Sequence, residues 1–248
     1  MKKTKLLTIG VLPLMWTFYF LFELFTGRVT DKATFLGNIA LIILFGFTGY
    51  LIHSISLKYN NGFNTKKVLS IFIILMLIDQ GIKLIIKFFF FNDYFSIIKN
   101  FLSFNPIINT DGSWLNARFG TGVSFPLLIS INFISLILFI ELYRYVLSKS
   151  NKSFSIDMCF LFIFAGALCS LIDKIFYGGS LDFIGIGTLF IADIKDIYIN
   201  LGILFFVISI YESGYINSEE DTTLKEDIEG IKRFVNFAKK DIISFFKK

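Results

Sequence analysis

Hydrophobic residues gather along the chain into six runs of about 20 residues, the length needed to cross a bilayer as a helix. They fall near residues 6–25, 35–57, 68–91, 123–147, 155–176 and 195–211. Two long interruptions, 92–122 and 177–194, separate the third run from the fourth and the fifth from the sixth; the other gaps are short. After the sixth run the pattern changes. A polar stretch at 218–223 precedes Ile228, Ile231, Val235, Ala238, Ile242 and Phe245. Steps of three and four place these on one face of a helix. With basic residues beside it, the stripe fits a helix lying on the inner leaflet. Packing against the rest of the protein explains it equally well.

Composition strengthens the membrane reading. The chain of 248 residues is 55% hydrophobic with 33 Phe, and its mean hydropathy is +0.71. A soluble protein of this length cannot hide so much apolar surface. Only three prolines and abundant Ile, Leu and Phe favour helices over a barrel, because helices close their own backbone hydrogen bonds in lipid. The first run follows Lys2, Lys3 and Lys5 and so imitates a signal peptide. Its apolar core is longer than a secretory h-region and no small-residue cleavage site follows, so an uncleaved helix is expected.

The net charge of +5 matters through its placement. Lys2, Lys3 and Lys5 precede the first run, Lys58, Lys66 and Lys67 lie between the second and third, and Arg144, Lys149 and Lys152 lie between the fourth and fifth. The tail carries Lys225, Lys232, Arg233, Lys239, Lys240, Lys247 and Lys248. With six spans these segments share one side, which the positive-inside bias assigns to the cytoplasm. The basic balance therefore fits anionic lipid and not nucleic acid. The two long linkers then face outward.

Several chemistries are excluded. His53 is the only histidine and sits far from any acidic cluster, so a Ser-His or Cys-His relay has no orienting acid. No HExxH, no Cys/His ligand set and no GxxxxGK loop occurs, and neither a metal nor a cofactor is expected. Cys159 and Cys169 share one apolar run and read as small core residues.

Carboxylates remain. Asp173, Asp182, Asp193 and Asp196 crowd the outer mouth of the last two runs. Ionisable groups beside hydrocarbon are costly and mark functional sites. Asp79 and Lys83, one turn apart in the third run, form an i,i+4 pair that either serves the site or merely neutralises itself and fixes packing. An acid at a helix start also caps it, which is the plain account of whichever of Asp193 and Asp196 opens the sixth helix.

These residues resemble signal peptidase II, the lipoprotein signal peptidase. Asp79-Gln80-Gly-Ile-Lys83 matches that family's Asp-Gln-x-x-Lys. Asn109-Thr110-Asp-Gly112 is similar to its Asn-Thr-Gly element with one extra residue, and Phe119-Gly120 completes it. Ala165-Gly166-Ala167-Leu-Cys169-Ser170-Leu-Ile-Asp173-Lys174 resembles Gly-Gly-Ala-x-Gly-Asn-x-x-Asp-Arg. Ser180-Leu181-Asp182-Phe183 matches Val-Val-Asp-Phe. Asp196, with Gly202 six positions on, matches the Asp that closes Phe-Asn-x-Ala-Asp, which sets Asp193 at the family's Asn; the other register puts Asp193 on the closing Asp and loses the glycine spacing. The departures are Ser170 for Asn, Lys174 for Arg and Asp193 for Asn. Lys offers a point charge where Arg offers a two-bond fork.

The resemblance, over about 68–212, implies an all-α integral membrane protein of about six transmembrane helices. The last four would form a signal-peptidase-II-like bundle with a small extracytoplasmic β cradle. The cradle falls on linker 92–122 with Trp114, whose aromatic residues also fit an interfacial belt. Residues 1–62 would be two extra N-terminal helices, 63–212 the catalytic bundle and 213–248 a cytoplasmic amphipathic tail. The implied catalytic pair is Asp182 and Asp196, with Asp79, Lys83, Asn109, Gly112, Ser170, Asp173, Lys174 and Asp193 supporting it or positioning substrate. The implied activity is an intramembrane aspartic endopeptidase of the bacterial cytoplasmic membrane, active on the extracytoplasmic side. It would cut prolipoproteins just before a lipidated Cys, with membrane lipid as its other partner. Two other classes compete: an inactive lipopeptide-binding relative, and a small transporter using Asp79 and Lys83 as a relay. A transporter would spread its acids through the membrane depth.

Overall fold

The structure, a computed structural model, describes residues 2–112, 114–149, 152–214 and 223–246. Most of the polar stretch expected at 218–223, and Lys247 and Lys248, lie outside the described residues, as do the side chains of Lys2, Trp114, Lys225 and Phe245.

All six apolar runs are helices long and apolar enough to cross a membrane. They are α1 (Lys2–Phe25), α2 (Lys32–Lys58), α3 (Thr65–Ile85), α5 (Phe125–Lys149), α6 (Phe154–Phe176) and α7 (Ile194–Glu212). A wide π-type turn, Ile86–Phe90, prolongs α3. The outer linkers are not plain coil. They hold β1 (Phe95–Ile98), β2 (Leu102–Asn109), the short α4 (Trp114–Phe119), β3 (Ser180–Ile186) and β4 (Phe190–Ala192). Beyond α7 the chain ends in α8 (Leu224–Phe246). This is a multi-pass membrane protein.

The strands form one antiparallel sheet in the order β1-β2-β3-β4. It sits where α3 and α6 end and α7 begins, here called the sheet side; the opposite end, with α8, is the tail side. β3 is the most deeply buried strand. Its pairing with β2 sets Asn109 opposite Ser180 and Ile107 opposite Asp182. The approach is close: a Cβ on Gly179 would lie 2.7 Å from the Asn109 carbonyl oxygen, so a side chain there would push the strands apart.

α6 runs through the middle of the bundle. Leu161, Ala165 and Cys169 on it are fully buried, and the core continues through Leu75 of α3 and Tyr198, Leu204, Phe205 and Ile208 of α7. A Cβ on Gly202 would lie 2.4 Å from Ile163, so α6 and α7 can approach this closely only with glycine there, which is how small residues act at helix contacts in membranes. Tyr198 donates from α7 to the Leu75 carbonyl of α3 at 3.0 Å. On the tail side, buried Asp157 accepts from the Phe63 amide and the Tyr143 hydroxyl, each at 2.6 Å. That carboxylate ties the α2–α3 turn and α5 to the start of α6.

α1 and α2 form a hairpin joined inside by Trp16, which donates to Asn38 at 3.1 Å, an interhelical polar contact of the kind that holds helices together in lipid. The hairpin packs against the β3–β4 turn and the start of β4. Phe190 packs on Trp16 and Tyr19, and Arg28 donates to the Thr188 and Leu189 carbonyls at 2.9 and 2.6 Å.

Candidate functional site

Five elements deliver side chains to one buried point on the sheet side. Spacing of four on α3 puts Asp79 and Lys83 on one face, and their ion pair is 3.0 Å long. The last turns of α6 bring Asp173, β3 brings Ser180 and Asp182, β2 brings Asn109, and the start of α7 brings Asp193, Lys195 and Asp196. Asp79, Lys83, Asp173 and Asp193 have no exposed surface, and Asp182 is 3% exposed.

Two ammonium groups organise the acids. Lys83 contacts Asp173 and Asp193, each at 2.6 Å, in addition to Asp79. Lys195 contacts Asp193 and Ser180 directly, Asp173 at 3.3 Å and Asp182 at 3.6 Å. Gln80 donates to Asp79 at 2.9 Å and Asp173 at 3.1 Å. Buried charges persist only when paired and hydrogen-bonded in this way.

Asp193 is the N-cap of α7. Its side chain accepts from the Asp196 amide at 3.2 Å, while the Asp196 carboxylate accepts from the Asp193 amide at 3.1 Å. This reciprocal box fixes Asp196, which is half-buried. Asp182 is held from both sides: Ser180 donates to one oxygen, and Asn109 to the other at 3.0 Å. Oxygens of Asp182, Asp193 and Asp196 all lie within 4.8 Å of one another. Three carboxylates this close offer the spacing of a divalent cation site, but the Lys195 ammonium already stands against two of them.

Burial pushes the Asp182 carboxyl above the ordinary carboxylate range, with nearby Asp193 adding to the rise and Lys195 opposing it. Burial would raise Asp193 too, but the Lys195 and Lys83 ammoniums hold it below that range. A raised folded-state value contributes stability that is complete below the unfolded value near 3.9 and is lost as pH rises through the folded value. The stability of Asp182→Asn relative to the wild type is therefore expected to rise as pH climbs from the unfolded value through the folded one. Paired thermal melts across pH check this; a difference that is flat or of opposite slope refutes it.

The expected site residues are thus largely brought together: Asp79, Lys83, Asn109, Asp173, Asp182, Asp193 and Asp196 meet. Lys174 and Ser170 instead contact each other, Nζ to Oγ at 2.6 Å, with no ion pair to Lys174 within 4.0 Å among the described residues. Gly112 stands apart, where the chain leaves β2 toward α4, with Phe125 and Leu128 against it. Lys195 has no role in the sequence reading, and Gln80 and Ser180 enter it only as parts of matched motifs. The available signal for Lys195 is a lysine between two acids at the opening of an apolar span.

A solved structure shares this architecture over part of the chain. Described as a bacterial membrane enzyme obtained by the in meso method at 2.3 Å resolution, it has a TM-score of 0.50 and 23% identity over 66% of this chain and 99% of its own. A second of the same description, at 1.9 Å, has a TM-score of 0.49 and 22% identity over 61% and 96%. At such identities likeness speaks for the fold alone. No match was found among curated proteins. The family model described as Signal peptidase (SPase) II matches residues 71–212, from α3 through the end of α7. That segment holds every acid of the cluster and more than half of the sequence, and on this ground the chain belongs to the signal peptidase II family.

Proposed function

We propose that the protein is an intramembrane aspartic endopeptidase that removes signal peptides from diacylglyceryl-modified prolipoproteins, cutting just before the lipidated Cys, with Asp182 and Asp196 as its catalytic pair. The observation that carries this reading is their approach, with carboxylate oxygens within 4.8 Å across the mouth of α7. At that distance two negative charges repel by about 3–4 kcal/mol at an effective dielectric of 20, enough to keep one proton shared between them at neutral pH. The ionised member takes a proton from water held between the two, and that water attacks the scissile carbonyl. The protonated member donates to the carbonyl oxygen, and the proton taken from water passes to the leaving amine. The apparent values belong to the pair and not to either residue.

Orientation supports the same reading. Lys58, Lys66, Lys67, Arg144, Lys149 and Lys152 gather on the tail side, which the positive-inside bias makes cytoplasmic. The acids then meet water at the extracytoplasmic boundary of the bacterial cytoplasmic membrane, where a substrate's lipid can remain in the bilayer. Asn109, Asp79 and Asp173 hold the site from outside the pair. Lys174 and Ser170, facing one another, and Gly112 are the remaining candidates for positioning the peptide.

One feature favours a second reading, a non-catalytic lipopeptide binder: the Lys195 ammonium lies 3.6 Å from Asp182, where it can neutralise the base. A single assay separates the two. Purified protein incubated with a diacylglyceryl-modified precursor is expected to release the signal peptide and to leave the unlipidated precursor intact. Binding of the lipidated precursor without release transfers the function to the binder; neither binding nor release ends both.

A further inference from the structure

α8 crosses α5 at one place. Arg144 pairs with Asp241 at 2.9 Å, and Tyr145 meets Phe234 and Phe237 edge-on, with centroids 5.5 and 5.3 Å apart. The residues of α8 turned to the protein are Gly230, Phe234, Phe237, Ala238 and Asp241, all half-buried. This leaves a separate apolar stripe uncovered. Leu224, Ile228, Ile231, Val235 and Ile242 recur at steps of four, three, four and seven, and are 39–82% exposed.

Two observations say what covers it. The first is depth. Arg144 and Tyr145 lie four to five residues before Lys149, the last residue of α5. At 1.5 Å per residue these contacts lie roughly 6–8 Å inside the end of a spanning helix, and about 12 Å at buried Glu141, whose carboxyl also faces Asp241. The shallower of these is the level at which interfacial helices bury their apolar face. The second is charge. At 100° per residue Lys232 and Lys239 line the rim of the stripe away from α5, and both are exposed, while Glu226, Glu229, Arg233 and Lys240 occupy the opposite, water-facing side.

We propose that α8 is an interfacial helix docked on anionic lipid at the tail side of the membrane, with the Leu224-to-Ile242 stripe in the acyl boundary and Lys232 and Lys239 on headgroup phosphates. Arg144 and Tyr145 clip it to α5, so that lipid charge on one face of the membrane sets the position of a helix in the bundle.

The test uses the full chain reconstituted in phosphatidylcholine bilayers with and without phosphatidylglycerol, reading amide hydrogen exchange across 224–246. Exchange is expected to slow roughly tenfold or more when the anionic lipid is added, since each lysine near such a surface contributes to binding. Lys232→Glu/Lys239→Glu should return to the phosphatidylcholine rate. Ile228→Glu/Ile231→Glu should exchange fast in every bilayer while the thermal melt of the spanning helices is unchanged. A fluorophore on Ile231→Cys should be quenched by lipids brominated on the acyl chains. Equal exchange in both bilayers, or no acyl-chain quenching, overturns the proposal. So does protection that follows the protein-to-lipid ratio in place of lipid charge, which would mean that a second copy covers the stripe.

Discussion

Asp182→Asn and Asp196→Asn are each expected to lower the rate of signal-peptide release by at least about 10³-fold, near the upper range for a residue that carries the proton in the transition state. The fold should survive both. In Asp196→Asn the new side-chain amide keeps a carbonyl oxygen to accept from the Asp193 amide, the bond the carboxylate now makes at 3.1 Å. In Asp182→Asn one oxygen remains for one of the two donors, Ser180 and Asn109, and the other bond is lost, a cost of about 1 kcal/mol. Each variant also removes a negative charge from a crowded cluster. Activity should therefore vanish while the melting temperature moves little. Asp193→Asn should behave in the opposite sense, chiefly destabilising, because Asp193 answers two ammoniums. If Asp196→Asn keeps its activity and Asp193→Asn is the dead, well-folded variant, the catalytic pair is Asp182 with Asp193. The measurement is cleavage of a lipidated precursor alongside a thermal melt of each purified variant.

The spans are legible in the sequence because a helix crossing hydrocarbon needs a long apolar run, which no tertiary contact has to supply. The sheet is less so. β2 and β3 pair Ile107 with Asp182 and Asn109 with Ser180 across some seventy positions of sequence, and short strands of mixed polarity leave little local trace. Only the resemblance places a β cradle here, and it does not locate the strands. Asp79 and Lys83 can be read as a pair from their i,i+4 spacing alone. Their meeting with Asp173 and Asp193 cannot, because it depends on α3 and α6 ending, and α7 beginning, at one level. Nothing local marks Arg28, in the turn between two spans; its guanidinium receives the β3–β4 turn, which depends on how the hairpin packs. Lys195 is the clearest case. A lysine at the mouth of an apolar span ordinarily snorkels to water. Here the N-cap turn at Asp193 directs it inward, where it is 5% exposed.

That inward lysine leads to the second large effect. In the register that puts Asp196 on the closing Asp of Phe-Asn-x-Ala-Asp, Asp193 stands for the family's Asn and Lys195 for its Ala. The two departures are opposite charges in direct contact, so together they leave the net charge of the site where the family pattern has it. Removing one takes from the other its closest partner but leaves Asp193 with Lys83 at 2.6 Å, or Lys195 with Asp173 at 3.3 Å, so the loss falls at or below the low end of the about 3–5 kcal/mol of a broken buried pair, or roughly 5–10 °C in melting temperature for a chain of this size. Asp193→Asn and Lys195→Ala are each expected to show it. The double variant should regain part of the loss, since Asn still caps the helix, the two opposite charges leave together, and Lys83 keeps Asp79 and Asp173. Activity should follow the same logic. Without Lys195 the Asp182 carboxylate loses the cation that lowers its proton affinity, so the acidic limb of the pH–rate profile moves to higher pH. Removing Asp193 as well takes away a neighbouring negative charge and moves the limb back. Single-variant losses that simply add in the double variant would show that the two residues do not act as a unit, and that Lys195 holds its place for Asp173 and Asp182 instead.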